Sequence, residues 1–215
     1  GRGFFPAAAD HVYEFPKADL FLVGTSEVSL AALHGDEILD FDKLPIRYAG
    51  YSTCFRREAG TYGKDTTGIF RVHQFDKVEM FSFCTPEKSE EEHEFILSVE
   101  EEILQELEIP YRVVDVCTGD LGSSAAKKFD IEAWIPSQNT YREVTSCSNT
   151  TDFQARRLNI RTKVEKDTAL LHTLNGTAIA VGRILIALLE NNQTEDGGVE
   201  FSDSLGNILG VEKLS

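Results

Sequence analysis

Basic residues are scarce in this sequence, which has 21 lysines and arginines against 36 aspartates and glutamates and a formal net charge of −15. A broad nucleic-acid-binding surface needs lysine and arginine to neutralise phosphates, so the composition excludes such a surface over most of the chain. Any contact with RNA would have to be local or be supplied from outside this sequence.

Metal-binding and disulfide motifs are missing as well. No two cysteines form a CxxC pair, and the five histidines add no zinc-binding spacing. Free buried thiols in a reducing cytosol are therefore favoured over disulfides, at Cys54, Cys84, Cys117 and Cys147. No segment resembles a signal sequence or a membrane span, and a cytoplasmic protein is therefore predicted.

Common nucleotide-binding and nucleophile motifs are also absent. The stretch Thr118–Gly122 has two glycines but lacks the lysine and the spacing of a P-loop. There is no Ser/His/Asp or Cys/His pairing, internal repeat or low-complexity segment. The hydrophobic content of 41% and charged content of 27% indicate an ordinary soluble globular protein, and 215 residues suffice to bury a full core.

The most informative feature that is present is a pair of charged extended segments. Long strands are predicted over Pro45–Glu58 and Ile69–Phe83, and both contain arginine and glutamate where a plain hairpin would carry neutral residues. With Arg56 and Arg71 fixed on rigid strands, the hairpin would suit a polyanion such as a nucleoside triphosphate, and Phe75 could stack on its base. The alternative is an exposed antiparallel pair with cross-strand salt bridges, worth about 0.2–1 kcal/mol each.

Other elements are predicted from capping and periodicity. Thr25 caps a helix over Thr25–Leu33, and Thr85-Pro86 opens a longer helix. The acidic runs Glu90–Glu92 and Glu100–Glu102 are interpreted as the solvated side of that longer helix. Further strands, the last two antiparallel, are predicted over Tyr111–Cys117, Phe129–Pro136 and Tyr141–Cys147.

The last predicted helix is unusual because Arg183 is its only charged residue from Ala178 to Leu189. A helix that is apolar all round is predicted to be buried. An unpaired guanidinium there would cost several kcal/mol. Two partners are open, a buried carboxylate of the same chain and a phosphate of a ligand.

Four groups of residues, in order along the chain, resemble the motifs of one enzyme family. Thr25–Glu27 is similar to its Thr-x-Glu serine-site segment, and Phe55–Gly60 with Phe70–Glu79 to its motif 2. Its motif 3 is similar to Leu174–Thr177 with Val181–Arg183. The run before motif 3 is similar to Thr140–Glu143, Ser146–Ser148 and Phe153–Arg157. This family is the bacterial-type seryl-tRNA synthetases, which are class II aminoacyl-tRNA synthetases. The resemblance runs from residue 1 to about residue 198, and the tail 201–215 departs from it.

The resemblance implies an α+β fold, an antiparallel sheet of six or seven strands flanked by helices. Residues 1–215 would form a single catalytic domain, a fragment of a longer chain without the family's N-terminal tRNA-binding arm and motif 1. Because motif 1 builds the family's homodimer interface, this stretch lacks the means to dimerise in that way. The implied reaction joins L-serine and ATP into seryl-adenylate and pyrophosphate, then charges tRNA(Ser). Two alternatives are a non-catalytic, synthetase-derived nucleotide-binding or regulatory protein and a ligase that activates serine for a carrier protein.

The resemblance also implies roles for residues that match the motifs. Arg56 would bind the α-phosphate of ATP, and Glu58 would contact the adenine amino group. Arg71 and Arg183 would hold the outer phosphates, with Phe75 and Arg183 on either side of the adenine. The three arginines would thus be the catalytic residues.

The resemblance further implies a metal site and an amino-acid pocket. Glu143 and Ser146 would bind Mg²⁺, a hard ion that prefers oxygen ligands. Arg56 would also contact the serine, whose pocket would be lined by Thr25, Glu27, Glu79, Asn175 and Thr177.

Overall fold

A computed structural model describes residues 9–59, 65 and 68–215. Its main sheet has six strands: β1 (Ile46–Phe55), β2 (Gln74–Cys84), β3 (Tyr111–Asp115), β4 (Lys127–Ile135), β5 (Thr140–Asn149) and β6 (His172–Ala180). They lie in the order β1-β2-β6-β5-β4-β3, and every neighbouring pair is antiparallel. The predicted antiparallel sheet is confirmed.

Helices flank this sheet, as predicted. The α-helices of the described residues are α1 (Glu27–Ala32), α2 (Ser89–Glu106), α3 (Phe153–Leu158), α4 (Val181–Asn191) and α5 (Asp203–Leu209). Short 3-10 helices span Ala9–His11, Phe41–Lys43, Pro86–Lys88, Thr118–Asp120 and Pro136–Gln138. None of the helices in the part of the chain that the structure describes is long and apolar enough to cross a membrane.

Three small sheets complete the described structure. The first pairs Glu14–Phe15 with Leu20–Phe21, and the second pairs Val199–Glu200 with Lys213–Leu214. The third has the strand order Asp167–Leu170, Arg161–Val164, Ile38–Leu39.

The two faces of the main sheet have different cores because side chains alternate along each strand. One face packs against α2 and α4, which bury Ile96 and Ile184 against Leu174 of β6. On the other face, Phe81 and Phe83 of β2 belong to a core cluster that also contains residues of α1 and α3. The preceding residues of that same face of β2 are Phe75, Lys77 and Glu79, and they lie in the cavity described below.

Strand β2 is shorter than the sequence predicts, and so is β1. The register pairs Ile46 with Phe83 and Phe55 with Gln74, so Arg56 lies beyond the end of β1 and Arg71 lies before the start of β2. The prediction that both arginines are fixed on strands is wrong. Most of the predicted polar loop between these strands lies outside the described residues.

The interpretation of the acidic runs of α2 as a solvated side is wrong for two residues. Glu92 and Glu100 are 2% and 1% exposed, respectively. Their spacing of eight puts both on the same helix stripe as buried Ile96 and Leu104. Glu92 accepts hydrogen bonds from Arg47 Nε at 2.9 Å and Ser82 Oγ at 2.8 Å, so its charge is compensated.

Glu100 approaches the sheet directly beneath β6. A Cβ atom added to Gly176 would lie 2.6 Å from Glu100 Oε1 and 3.0 Å from the Cβ of Cys147. The close approach of α2 therefore requires glycine at this position. Burial, and next the negative charge of Glu79 across the sheet, raise the pKa of Glu100 well above its ordinary value.

Two further predictions need correction. Helix α4 is not buried all round, because Val181 and Leu185 are exposed. All four cysteines are free, as predicted, but Cys117 is exposed while the other three are buried.

Candidate active site

A cavity of about 410 Å³ lies on the face of the sheet opposite α2, and polar side chains dominate its lining. All the site residues predicted from the sequence line this one cavity, namely Thr25, Glu27, Arg56, Glu58, Arg71, Phe75, Glu79, Glu143, Ser146, Asn175, Thr177 and Arg183. The fold therefore brings together residues from four separate stretches of the chain.

Strands β2 and β6 supply the floor of the cavity. Phe75, Lys77 and Glu79 of β2 share one face because they are two residues apart. Thr177 of β6 lies directly opposite Glu79 in the register. Lys77 is a residue that sequence reasoning did not assign to the site. The alternation of β2 alone indicates it, because Lys77 lies between two predicted site residues of the same face.

The inner end of the cavity contains a buried polar cluster. Lys77 and Glu79, only 6% and 2% exposed, form an ion pair. The Lys77 Nζ atom also donates to Thr25 Oγ1 at 2.8 Å. The Thr177 hydroxyl donates to Glu79 Oε2 at 3.4 Å. Each of these side chains is held by a charged or polar neighbour, so the inner end is rigid and offers acceptors and donors at fixed positions.

Glu27, at the start of α1, is a second, half-buried carboxylate beside this cluster. Its Oε1 atom accepts hydrogen bonds from Gln154 Nε2 at 2.7 Å and Asn175 Nδ2 at 3.3 Å. Burial, and then the negative charge of Glu79, raise the pKa of Glu27 to about 7. Glu27 therefore keeps its proton to a higher pH than an exposed glutamate does.

The predicted cap of α1 differs slightly in the structure. The N-cap residue is Ser26, whose side chain makes no capping hydrogen bond. Thr25 instead accepts a hydrogen bond from the backbone N–H of Glu27 at 3.2 Å. The Thr25 hydroxyl thus serves both the helix start and the Lys77–Glu79 cluster.

The outer end of the cavity holds the arginines. Arg56 donates through Nε to the carbonyl of Gly24 at 3.1 Å, and its guanidinium lies 5.4 Å from the centre of the Phe75 ring. Arg71 forms an ion pair with Glu58. The Nε atom of Arg71 is buried without a hydrogen-bond partner among the described residues, and such an unpaired donor is costly unless a ligand reaches it.

Arg183, in the first turn of α4, forms a long ion pair with Glu143. It donates through Nη1 to the backbone carbonyl of Glu143 at 2.8 Å, whereas the Glu143 carboxylate is 3.9 Å away and 47% exposed. Burial lowers the pKa of Arg183, and the nearby charge of Glu143 opposes this shift. The charges of Arg71 and Arg56 act in the same direction as burial. Mutual repulsion of this kind favours an anion among the three guanidiniums. The Phe70 ring lies 4.9 Å below Arg183.

A β-bulge aligns Glu143 and Ser146. In a regular strand, residues three apart point to opposite faces. The register of β5 against β4 shifts by one residue at Val144, so both Glu143 and Ser146 line the cavity.

The chemistry of these two side chains fits a divalent cation only in part. No group of three or more histidine, cysteine, aspartate or glutamate residues suited to a metal ion occurs in the described ranges. One carboxylate and one hydroxyl can contribute oxygen ligands to Mg²⁺, which commonly takes its remaining ligands from waters and substrate phosphates.

The arrangement suits binding and orientation of charged ligands. One end has a buried and a half-buried carboxylate, a lysine and hydroxyl groups, and the other end has three arginines. Within the described part of the chain, no histidine or cysteine lines the cavity. Two of the thiols lie elsewhere in the core, where burial raises the pKa of Cys84 to about 12 and that of Cys147 further still.

Comparison with known proteins gives concordant results. The model of the tRNA synthetase class II core domain (G, H, P, S and T) matches residues 13–192. The serine--tRNA ligase 1 of Streptomyces avermitilis is 59% identical over 214 residues, covering 100% of this chain and 50% of that protein. Since the whole chain aligns, the expectation that 201–215 departs from the family is wrong. The chain spans about half the length of the curated relatives it matches.

Solved structures agree with this match. The seryl-tRNA synthetase from Pyrococcus horikoshii complexed with ATP has a TM-score of 0.94 and 54% identity, over 98% of this chain and 47% of that one. The cytoplasmic serine-tRNA ligase from Naegleria fowleri in complex with AMP has a TM-score of 0.92 and 41% identity, over 98% and 51%. With its antiparallel sheet, its arginine-lined cavity and the match of residues 13–192, the chain belongs to the class II tRNA synthetase core-domain family.

Proposed function

We propose that the protein containing this chain is a serine--tRNA ligase and that the chain is its catalytic core. It would activate L-serine with ATP, giving seryl-adenylate and pyrophosphate, and then transfer serine to tRNA(Ser). The observation that carries the proposal is the polarity of a single cavity, with two carboxylates and several hydroxyls at one end and three arginines at the other. The names of its relatives support the same reaction.

The inner end would bind serine. The ammonium group would lie between the carboxylates of Glu27 and Glu79, and the hydroxyl would hydrogen-bond to the polar groups that surround them, which belong to Thr25, Asn175 and Thr177. Alanine and glycine would leave these buried groups unpaired, which rejects them strongly. Threonine would be excluded sterically by its additional methyl group.

The outer end would bind ATP. Arg56 would hold the α-phosphate and the serine carboxylate together, and Arg71 and Arg183 would hold the outer phosphates. The adenine would lie between Phe75 and Arg183, with its amino group at Glu58. The unpaired Nε donor of Arg71 supports this assignment, since a phosphate oxygen would satisfy it.

Catalysis would depend on positioning and charge. An oxygen of the serine carboxylate attacks the α-phosphorus and forms a new P–O bond, while the bond from that phosphorus to the bridging oxygen breaks and its electrons leave with pyrophosphate. This step needs no protein nucleophile, and Arg56 and Arg183 would neutralise charge on the phosphate oxygens. Glu143 and Ser146 would hold Mg²⁺, which when bound adds positive charge at those oxygens.

Amino-acid-dependent ATP–pyrophosphate exchange tests the proposal, in the full-length protein with serine, threonine, alanine and glycine. We expect exchange with serine alone and charging of tRNA(Ser) when tRNA is added. A folded protein that binds ATP but exchanges with none of these amino acids would favour the non-catalytic alternative. Exchange with serine but no charging would favour a carrier-protein ligase.

Three further properties stay predictions. They are a cytoplasmic location, a homodimer in the full-length protein, and a single domain over residues 1–215. Analytical ultracentrifugation of the full-length protein would decide the second.

A further inference from the structure

We infer that Gln154 is a positioning residue for serine recognition, because it holds one oxygen of the Glu27 carboxylate and so directs the other towards the amino-acid end of the cavity. The inference rests on the proposed function and deepens it. Neither Gln154 nor its neighbour Thr173 lines the cavity, so both would act through Glu27.

The first observation is a directed chain of buried hydrogen bonds. Gln154, in the first turn of α3, is 0% exposed. Thr173 of β6 donates through Oγ1 to Gln154 Oε1 at 2.9 Å, and Gln154 Nε2 donates to Glu27 Oε1 at 2.7 Å. Thr150 Oγ1 lies 2.6 Å from Thr173 Oγ1 and 2.7 Å from the Thr173 carbonyl, so it can donate at the far end of the chain.

This chain fixes the orientation of the Gln154 amide. A carboxylate only accepts hydrogen bonds, so Glu27 must face the NH₂ group of the amide. The Thr173 hydroxyl donates to the amide oxygen and thereby opposes a flip. Without that hydroxyl, the amide would keep only one of the two contacts that hold its NH₂ group towards Glu27.

The second observation is that two amides converge on the same oxygen. Asn175 Nδ2 also donates to Glu27 Oε1, at 3.3 Å. Because both donors bind Oε1, the other oxygen, Oε2, is left to accept hydrogen bonds from a ligand in the cavity that Glu27 lines. An ammonium group, with three N–H donors and no acceptor, suits such an oxygen.

The charge state of Glu27 links this geometry to a measurable pH dependence. The charged groups that face Glu27 are Glu79 and Lys77 from β2, and Arg56 beyond the end of β1. The hydrogen bond from Gln154 lowers the pKa of Glu27, whereas burial and Glu79 raise it. Loss of the Gln154 amide would therefore move the ionisation of Glu27, and with it serine binding, to higher pH.

The experiment measures KM for serine and for ATP by pyrophosphate exchange between pH 6 and pH 8.5, in the full-length protein. Gln154→Met keeps a similar volume and removes both hydrogen bonds. We expect about a tenfold or greater increase in the serine KM, the range for hydrogen bonds to charged groups. The ATP KM should change less than about twofold. The acidic limb of the serine KM profile should move to higher pH.

Thr173 provides a matched pair, because Thr173→Val removes the hydroxyl with little change in shape and Thr173→Ser keeps it. We expect a raised serine KM for Thr173→Val and a value near that of the parent for Thr173→Ser. Gln105→Met on the exposed side of α2 controls for glutamine loss at a distance, since its amide contacts Tyr111.

Each outcome supports or refutes the inference. An unchanged serine KM and pH profile in folded Gln154→Met, or equal increases for serine and ATP, would leave Gln154 with a packing role only. If Gln154→Met does not fold, equal serine KM values for the two Thr173 variants would refute the inference. A parent without serine-dependent exchange would refute the proposed function itself, which distinguishes that failure from a failure of the inference alone.

Discussion

Replacing Glu27 by glutamine is expected to stabilise the empty protein at neutral pH while weakening serine binding. The glutamine keeps an oxygen that can accept from Gln154 and Asn175, and it removes a half-buried carboxyl group that lies near the charge of Glu79. Stability and function should therefore change in opposite directions at this one residue.

The magnitude follows from the pKa of Glu27, which burial and Glu79 raise from 4.5 to about 7. The unfolded chain releases the proton near pH 4.5, whereas the folded protein keeps it until about pH 7. Between these values the unfolded state binds fewer protons, so the free energy of unfolding of the parent falls as pH rises. At 1.36 kcal/mol per pH unit, the loss amounts to about 3 kcal/mol at pH 8 and vanishes below pH 4.5. Glutamine does not titrate, so the variant avoids this loss of the free energy of unfolding.

Urea denaturation of the parent and Glu27→Gln at pH 4, 6 and 8 measures this effect. We expect a difference in the free energy of unfolding that grows with pH in favour of the variant. Glu102→Gln, at an exposed position of α2, controls for the loss of one negative charge. A difference that is constant from pH 4 to pH 8, or a variant less stable than the parent at pH 8, would refute the reasoning. Serine KM should rise about tenfold or more, since a charged acceptor is lost.

Three other changes have specific expected outcomes. Glu100→Gln should raise the free energy of unfolding above pH 4.5, by up to about 1.4 kcal/mol per pH unit, because ionisation of the parent carboxyl is unfavourable in the folded state. An unchanged pH dependence in urea denaturation would contradict this. Lys77→Met leaves the buried Glu79 carboxylate without its cation and should lower stability by about 3–5 kcal/mol, and a thermal melt unaffected at pH 7 would show that Glu79 needs no cation. Arg183→Ala should lower pyrophosphate exchange at least about 100-fold with little change in thermal stability. The control Arg57→Ala, at an exposed position, should leave both exchange and thermal stability unchanged. Collapse of the Arg183 variant would mean that this arginine is structural.

Local patterns in the sequence predicted much of the fold. Two charged extended segments indicated the antiparallel pair β1 and β2, and the predicted helix opening at Thr85-Pro86 is a 3-10 helix that runs directly into α2 at Ser89. The bounds were less accurate, because charged residues continue beyond the last paired residue of β1 and nothing local marks where hydrogen bonding ends.

Burial of acidic residues was the main failure of sequence reasoning. Glu92 and Glu100 occur in runs that look solvated, yet the spacing of α2 places them on its buried stripe. Whether such a carboxylate has a cationic partner depends on other elements, since Glu92 meets Arg47 of β1 while Glu100 lies against β6 and β5. No window of sequence around α2 contains that information.

The sequence by itself determined which side chains are available and, through ordered motifs such as Thr25–Glu27, the family to which they belong. Only the tertiary structure decided how they act together. The bulge at Val144 turns Glu143 and Ser146 to the same face, although their spacing of three would separate them on a regular strand. Burial at the start of α1 and the nearby charge of Glu79 on β2 set the protonation of Glu27. The physical reason is that register, burial and charge interactions join residues far apart in the chain, whereas sequence patterns report only on neighbours.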